Sequence, residues 1–282
     1  MATRPFLATL GGVALFMALS SVALEAQQYT YTTIDVPGAS ATFATGINDK
    51  GDIVGSYSDP ESGQQRGFVI FGGTLTKLDC PQAPSTWRAI NNQRQIVGYY
   101  LDSQNNSHGL LTENSSCLQI DYPGTNVTVV NSINDRGVVL GDYVQGDNIA
   151  PCFELKNGVF SSSNASGSFN RCNGINNDGY VTGYYGGGVC FLLRDGRFTT
   201  CDIPGFQFNF PNGINNISQV VGMTGGTGGN HGYMADIGVI TQIEPPGATA
   251  SEASGINLKG VIVGNYTASD GTIHGYTATP SN

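Results

Sequence analysis

Residues 46–57 read GINDKGDIVGSY, and the chain writes this phrase six times. The other copies are AINNQRQIVGYY (89–100), SINDRGVVLGDY (132–143), GINNDGYVTGYY (174–185), GINNISQVVGMT (213–224) and GINLKGVIVGNY (255–266). The starts fix a period of about 42 residues, within the range of β-propeller blades, each a four-stranded sheet. The expected fold is therefore an all-β, six-bladed propeller of antiparallel blades spanning 27–282.

Each copy reads as a hairpin: Ile47-Asn48 ends one strand, Asp49-Lys50-Gly51 turns, and the next strand follows. Asparagine folds its side-chain carbonyl onto nearby backbone, and glycine accepts positive φ at the turn. Asn48, Asn91, Asn134, Asn176, Asn215 and Asn257 are turn builders on this reading. Gly55, Gly98, Gly141, Gly183, Gly222 and Gly264 stand mid-strand, where glycine weakens a sheet. They suggest a close approach of neighbouring sheets.

A third strand opens on a basic residue and glycine: Arg66-Gly67, His108-Gly109, His231-Gly232, His274-Gly275. A tight turn follows, such as Gly72-Gly73 or Asp195-Gly196. The fourth strand ends at an acid, a spacer and Pro. Two-residue turns fix the register, so Arg66 faces Asp79, His108 faces Asp121 and His231 faces Glu244. Opposite charges across a ladder contribute roughly 0.2–1 kcal/mol each. Pro151 faces Asn164 in the third copy, where base and acid vanish together. The last copy lacks its fourth strand, and residues 31–38 match residues 198–205. The N-terminal strand should complete the last blade and close the ring, with His274 facing Asp35. All three histidines then serve as struts.

The six cysteines are even in number, as expected of an exported chain. The Asp195-Gly196 turn makes Cys190 and Cys201 direct partners, and sets Val189 opposite Asp202. Cys80, Cys117, Cys152 and Cys172 allow three connectivities. No CxxC spacing or His–Cys cluster occurs, so neither a metal nor a cofactor is expected.

Arg4 followed by the apolar run 6–23 and small residues before Gln27 has the layout of a secretory signal peptide over residues 1–26. The mature chain is expected to be secreted, extracellular or periplasmic, monomeric and free of the membrane. Twelve Lys and Arg stand against 21 Asp and Glu, a formal charge of -9. Nucleic acid is excluded as a partner, because an acidic surface releases no counterions from a polyanion.

The succession Ile-Asn…Ile-Val-Gly-x-Tyr, then His-Gly-aromatic, then Phe-Thr-x-x-Asp-x-Pro-Gly resembles the HAF-type extracellular repeat proteins of bacteria. The match covers residues 29–282, with His-Gly at 108, 231 and 274, Arg-Gly at 66, and losses at 151–152 and 189–190. The resemblance implies export and a propeller, and carries no catalytic residue.

What the copies do not share is where chemistry can reside. The position before the small residue of each innermost strand is Thr45, Arg88, Asn131, Asn173, Asn212 and Ser254. It is polar in every copy, with Arg88 its only charge. Such a ring could hold a sugar, a carboxylate or ordered water. Trp87, Phe208 and Phe210 are aromatics the repeat does not require, and aromatic faces beside amides suit carbohydrate. Arg88 or Arg171 with a tyrosine could support proton abstraction beside a uronate. Two of the loop acids, among them Asp59, Asp102, Asp142 and Asp270, could hydrolyse a glycoside. GxSxG, HExxH, P-loop and EF-hand motifs are missing from the sequence. The expected function is a secreted, non-catalytic binding or scaffold propeller for glycan or another extracellular surface component. The alternatives are a glycoside hydrolase or polysaccharide lyase at the channel mouth, and a purely structural envelope protein.

Overall fold

The computed structural model describes residues 27–281 except 81–83, 114–115, 145–150, 164–169, 202, 204 and 227–228. The proposed leader over 1–26 and the facing residues Asn164 and Asp202 lie outside the described residues. Among those described, 24 strands form an all-β propeller, and no helix is long and apolar enough to cross a membrane.

Four separate four-stranded antiparallel sheets occupy 85–120, 128–163, 170–200 and 208–243. The remaining eight strands form one sheet, which corrects the expectation of six separate ones. The reason is local: Ala41 and Ile273 approach closely enough for one parallel bridge, joining the strands of 41–78 to those of 250–280. Strand Tyr29–Ile34 pairs antiparallel with Ile273–Pro280, from Tyr29 opposite Pro280 to Ile34 opposite Gly275. The first and last strands of the described chain thus share a sheet.

Each innermost strand carries a one-residue bulge against its neighbour, between Ala44 and Gly46 in the first copy and at the corresponding place in the other five. The bulge explains the mid-strand glycines, and corrects their reading as contacts between sheets. A Cβ at Gly55 would run into the Phe43 carbonyl oxygen of its own sheet and the Phe68 ring. Gly183 and Gly264 meet the Arg171 and Glu252 carbonyls in the same way. The close approach between neighbours falls elsewhere: a Cβ at Gly46 would press on Ala89 and the Arg88 carbonyl.

The repeated asparagines do more than build turns. Asn48 Oδ1 accepts from the Lys50 and Asp52 backbone N–H at 3.0 and 2.9 Å, fixing its hairpin. Its Nδ2 donates to the Asn91 carbonyl at 3.0 Å, across to the next copy. Asn91 donates to Asn134, Asn134 to Asn176, Asn176 to Asn215, Asn215 to Asn257 and Asn257 to Asn48. These residues are buried, so each bond satisfies a backbone carbonyl that would otherwise be costly. The result is a closed belt of hydrogen bonds around the axis.

The edge struts take the register computed from the turns. Arg66 meets Asp79 at 2.9 Å, His108 meets Asp121 at 2.8 Å, His231 meets Glu244 at 3.4 Å and His274 meets Asp35 at 2.8 Å. Arg66 also reaches Asp59 at 3.1 Å, and His108 reaches Asp102 at 3.4 Å. Disulfides join Cys190 to Cys201, Cys80 to Cys117 and Cys152 to Cys172. The last two staple different four-strand groups together. Such bonds persist in an oxidising compartment, extracellular or periplasmic.

Candidate functional site

The bulge positions are Thr45, Arg88, Asn131, Asn173, Asn212 and Ser254, the residues singled out in the sequence. A bulge inserts an unpaired residue and re-aims its side chain; here all six line the central channel. Their donors are largely used in construction. Thr45 Oγ1 donates to the Trp87 carbonyl at 2.9 Å, and Asn131 Nδ2 to the Cys172 carbonyl at 3.0 Å. Asn173 Nδ2 donates to Pro211 at 2.8 Å, and Asn212 Nδ2 to Ala253 at 3.1 Å. Each bond crosses to the next copy. What the amides leave toward the channel is acceptor capacity.

Above this ring the channel opens into a cup of about 320 Å³, at the low end of the roughly 300–1,000 Å³ of ligand sites. Below it the space narrows to about 90 Å³ and then to about 70 Å³ beside the asparagine belt. The cup leans toward three consecutive copies. Phe43, Ser56 and Gln65 come from the first, Thr86, Arg88 and Tyr99 from the second, and Glu252 and Asn265 from the last.

Arg88 is exposed in the cup, with its guanidinium 5.5 Å from the centre of the Tyr99 ring. Among the described residues no carboxylate lies within ion-pair distance of it. Glu252 is differently placed: Asn212 donates to one carboxylate oxygen at 2.8 Å and Asn265 to the other at 3.4 Å. Arg88 is a guanidinium without an anion, and Glu252 a carboxylate already steadied by amides.

Beside the cup, Arg171 lies 3.7 Å from Asp142, which is buried and accepts from Asn131 at 2.7 Å and from the Cys172 N–H at 3.1 Å. Burial pushes the Asp142 carboxyl up to about 6, against those bonds and the charges of Arg171 and Arg88. Ser56 holds the corresponding place in the first copy and accepts from the Trp87 N–H at 3.1 Å. Asp142 is thus an ionisable version of a joint between copies. Tyr184 is the cross-strand neighbour of Arg171, and burial raises its phenol. The cluster Asp142, Cys152 and Cys172 has ligand-type atoms close together, but its two sulfurs are bonded to each other.

Four sequence candidates, Trp87, Phe208, Phe210 and Arg171, fall outside the cup. Trp87 is fully buried, packs among Val54, Val69 and Cys80, and donates its indole N–H to the Leu78 carbonyl at 3.1 Å. It fills the seam between two copies, because it precedes the bulge and faces away from the channel. Phe208 stacks with Phe210 at 6.2 Å, and Phe210 meets Tyr184 edge-on at 4.9 Å. This aromatic group lies outside the residues lining the cup, as does Arg171. Sequence reasoning missed Phe43, Thr86 and Glu252, which stand two places before the ring residues of their strands. It also missed Tyr99 and Asn265, each directly after a mid-strand glycine. Parity along the innermost strand marks the column of the first three, but marks with it Val129, Arg171 and Phe210, which do not line the cup.

No family model matches the chain, and no curated protein matches it in sequence. Solved structures do match. The β-propeller domain of the Trilobed protease from Pyrococcus furiosus aligns with a TM-score of 0.56 at 12% identity, covering 86% of this chain and 82% of that one. A mutant of the Aleuria aurantia lectin, in complex with Fucalpha1-6GlcNAc, aligns with a TM-score of 0.54 at 11% identity, over 84% and 91%. A mutant of AofleA from Arthrobotrys oligospora gives 0.51 at 13% identity, over 90% and 84%. At these identities the likeness is one of fold, and the fold is a propeller.

Proposed function

We propose that this is an exported, six-bladed binding propeller that holds glycan in the cup at its channel mouth, without catalysis. The count of six treats the eight-stranded sheet as two blades, since a single bridge joins its halves and the asparagine belt has six members. The leader-like residues 1–26 support export, the repeat supports kinship with the HAF-type repeat proteins, and the chain is proposed to act as a monomer. The observation that carries the reading is the cup itself: amide carbonyls, a steadied carboxylate, an arginine with no ion-pair partner among the described residues and the rings of Phe43 and Tyr99 line about 320 Å³. Hydroxyl-rich ligands offer the donors such a wall accepts. The lectin cited above adds only that this fold can present sugar sites.

Screening the mature protein on a glycan array, with a reducing-end release assay on the same sugars, tests the reading. Retained glycan without product supports it. Product formation abolished by Arg88→Ala would replace it with a carbohydrate-active enzyme, and silence in both assays would leave a structural envelope role. One observation favours the enzyme reading: Arg171, Tyr184 and the buried Asp142 converge beside the cup. A lyase would use the arginine to neutralise a uronate carboxylate and a neighbouring base to take the proton beside it. The glycosidic C–O bond on the next carbon would break and its oxygen leave, protonated, with one fragment, so the other product would carry a new carbon–carbon double bond and absorb in the ultraviolet.

A further inference from the structure

The cup is asymmetric in a way that reads out one kind of sugar. Its charged walls belong to copies on either side of the first: Arg88 precedes Tyr99 on one flank, and Glu252 precedes Asn265 on the other. Phe43, half-buried, lies on the copy between them. Among the described residues the N–H fork of Arg88 has no hydrogen-bond partner; the Tyr99 ring lies beside it, and Asp142 feels its charge from farther off. A guanidinium in that state matches a planar carboxylate, which it can hold with two parallel bonds. Glu252 keeps acceptor capacity on both oxygens beyond its two amide bonds, and a pair of adjacent hydroxyls fits that arrangement.

We propose that the cup binds a single uronic-acid residue, with its carboxylate on Arg88, its hydroxyls toward Glu252 and Asn265, and a ring face against Phe43. The proposal rests on the reading of the cup as a glycan site and narrows it to acidic sugars. A neutral sugar would leave the Arg88 donors without an anion in a partly enclosed space. A small carboxylate lacking hydroxyls would leave Glu252 and Phe43 without a partner.

Titration calorimetry with sodium D-glucuronate, D-glucose and sodium acetate tests this. The wild type should bind glucuronate at least about tenfold more tightly than either other probe. Arg88→Gln should bring glucuronate to within about threefold of glucose with at most a small drop in melting temperature, because among the described residues the guanidinium makes only the Tyr99 ring contact and a distant attraction to Asp142. Glu252→Gln should weaken glucuronate while leaving acetate unaffected.

Equal affinity for glucose and glucuronate would overturn the acidic-sugar assignment and leave the glycan reading standing. Acetate binding as tight as glucuronate would overturn the sugar part. Failure to hold any of the three probes, with neutral glycans retained on the array, would also overturn this inference alone. Silence in both experiments would overturn both readings.

Discussion

The side-chain amide of Asn257 donates to the main-chain carbonyl of Asn48 at 3.1 Å, across 209 residues of sequence. It is the same bond that links every other neighbouring pair of copies, so the closing contact of the ring is chemically identical to the local ones. Because the asparagine carbonyl also fixes its own turn, one side chain couples hairpin geometry to the placement of the next sheet.

Asn134→Ala removes a donor to Asn176 and an acceptor for the Arg136 and Val138 N–H groups. A loss of about 2 kcal/mol is expected, given roughly 0.5–1.5 kcal/mol net for each buried bond. At this size that lowers the melting temperature by about 4–8 °C. Asn134→Asp keeps the acceptor and loses the donor, so differential scanning calorimetry should place it between alanine and wild type.

Deleting residues 29–36 strips the strand that pairs with Ile273–Pro280, and with it the Asp35 contact to His274. Exposing that edge, and the buried cluster around Tyr276 and Ala278 that Tyr29 and Tyr31 cover, should lower the melting temperature of the whole unit in a single transition. A truncated chain that melts where the full one does would show that the strand is not needed for closure.

Replacing Cys190 and Cys201 together by alanine opens a cross-link with a sequence separation of 11. The chain-entropy account gives a loss of about 2–3 kcal/mol. Denaturant melts under oxidising conditions should show it as a lower midpoint with little change in slope.

Asp142 predicts a pH signature. Its folded value is raised to about 6 from the ordinary 3.8 by burial, so the folded state binds more protons than the unfolded one between those values. By linkage the wild type loses stability as pH rises through that window, by on the order of 3 kcal/mol for about two units. Asp142→Asn lacks this dependence, although it disturbs the Asn131 bond at every pH. The melting temperature of the variant relative to wild type should therefore climb between pH 4 and pH 7.5. A flat difference would show that the carboxyl titrates normally.

What could be read from the sequence follows a physical boundary. Two-residue turns set pairing within a sheet, so Arg66–Asp79 and Cys190–Cys201 were accessible by counting from the turn, and His274–Asp35 by matching residues 31–38 to 198–205. Cys80–Cys117 and Cys152–Cys172 were not, because each spans two four-strand groups whose relative placement no turn specifies. The ring at Thr45 and its equivalents was legible from polarity, but the bulge beneath it was not. A bulge adds a residue without changing the apolar pattern, and the bulge decides that Arg88 enters the channel while Trp87 enters the seam. The expected contact between sheets at Gly55 failed for the same reason. Phe43 and Glu252 were hidden by variety, since their column also holds Thr86, Val129, Arg171 and Phe210, with no shared chemistry to mark it.

Ser281 donates its backbone N–H to the Gln28 carbonyl at 2.8 Å, so both ends of the described chain finish side by side. Since every joint of the asparagine belt is of one kind, where the polypeptide starts is a matter of genetic bookkeeping. A short tether across those ends, with a fresh cut at an exposed outer turn such as Asn157-Gly158, would yield a circular permutant with the same belt and cup. The protein is, in mechanical terms, a hoop that happens to have been opened at one place.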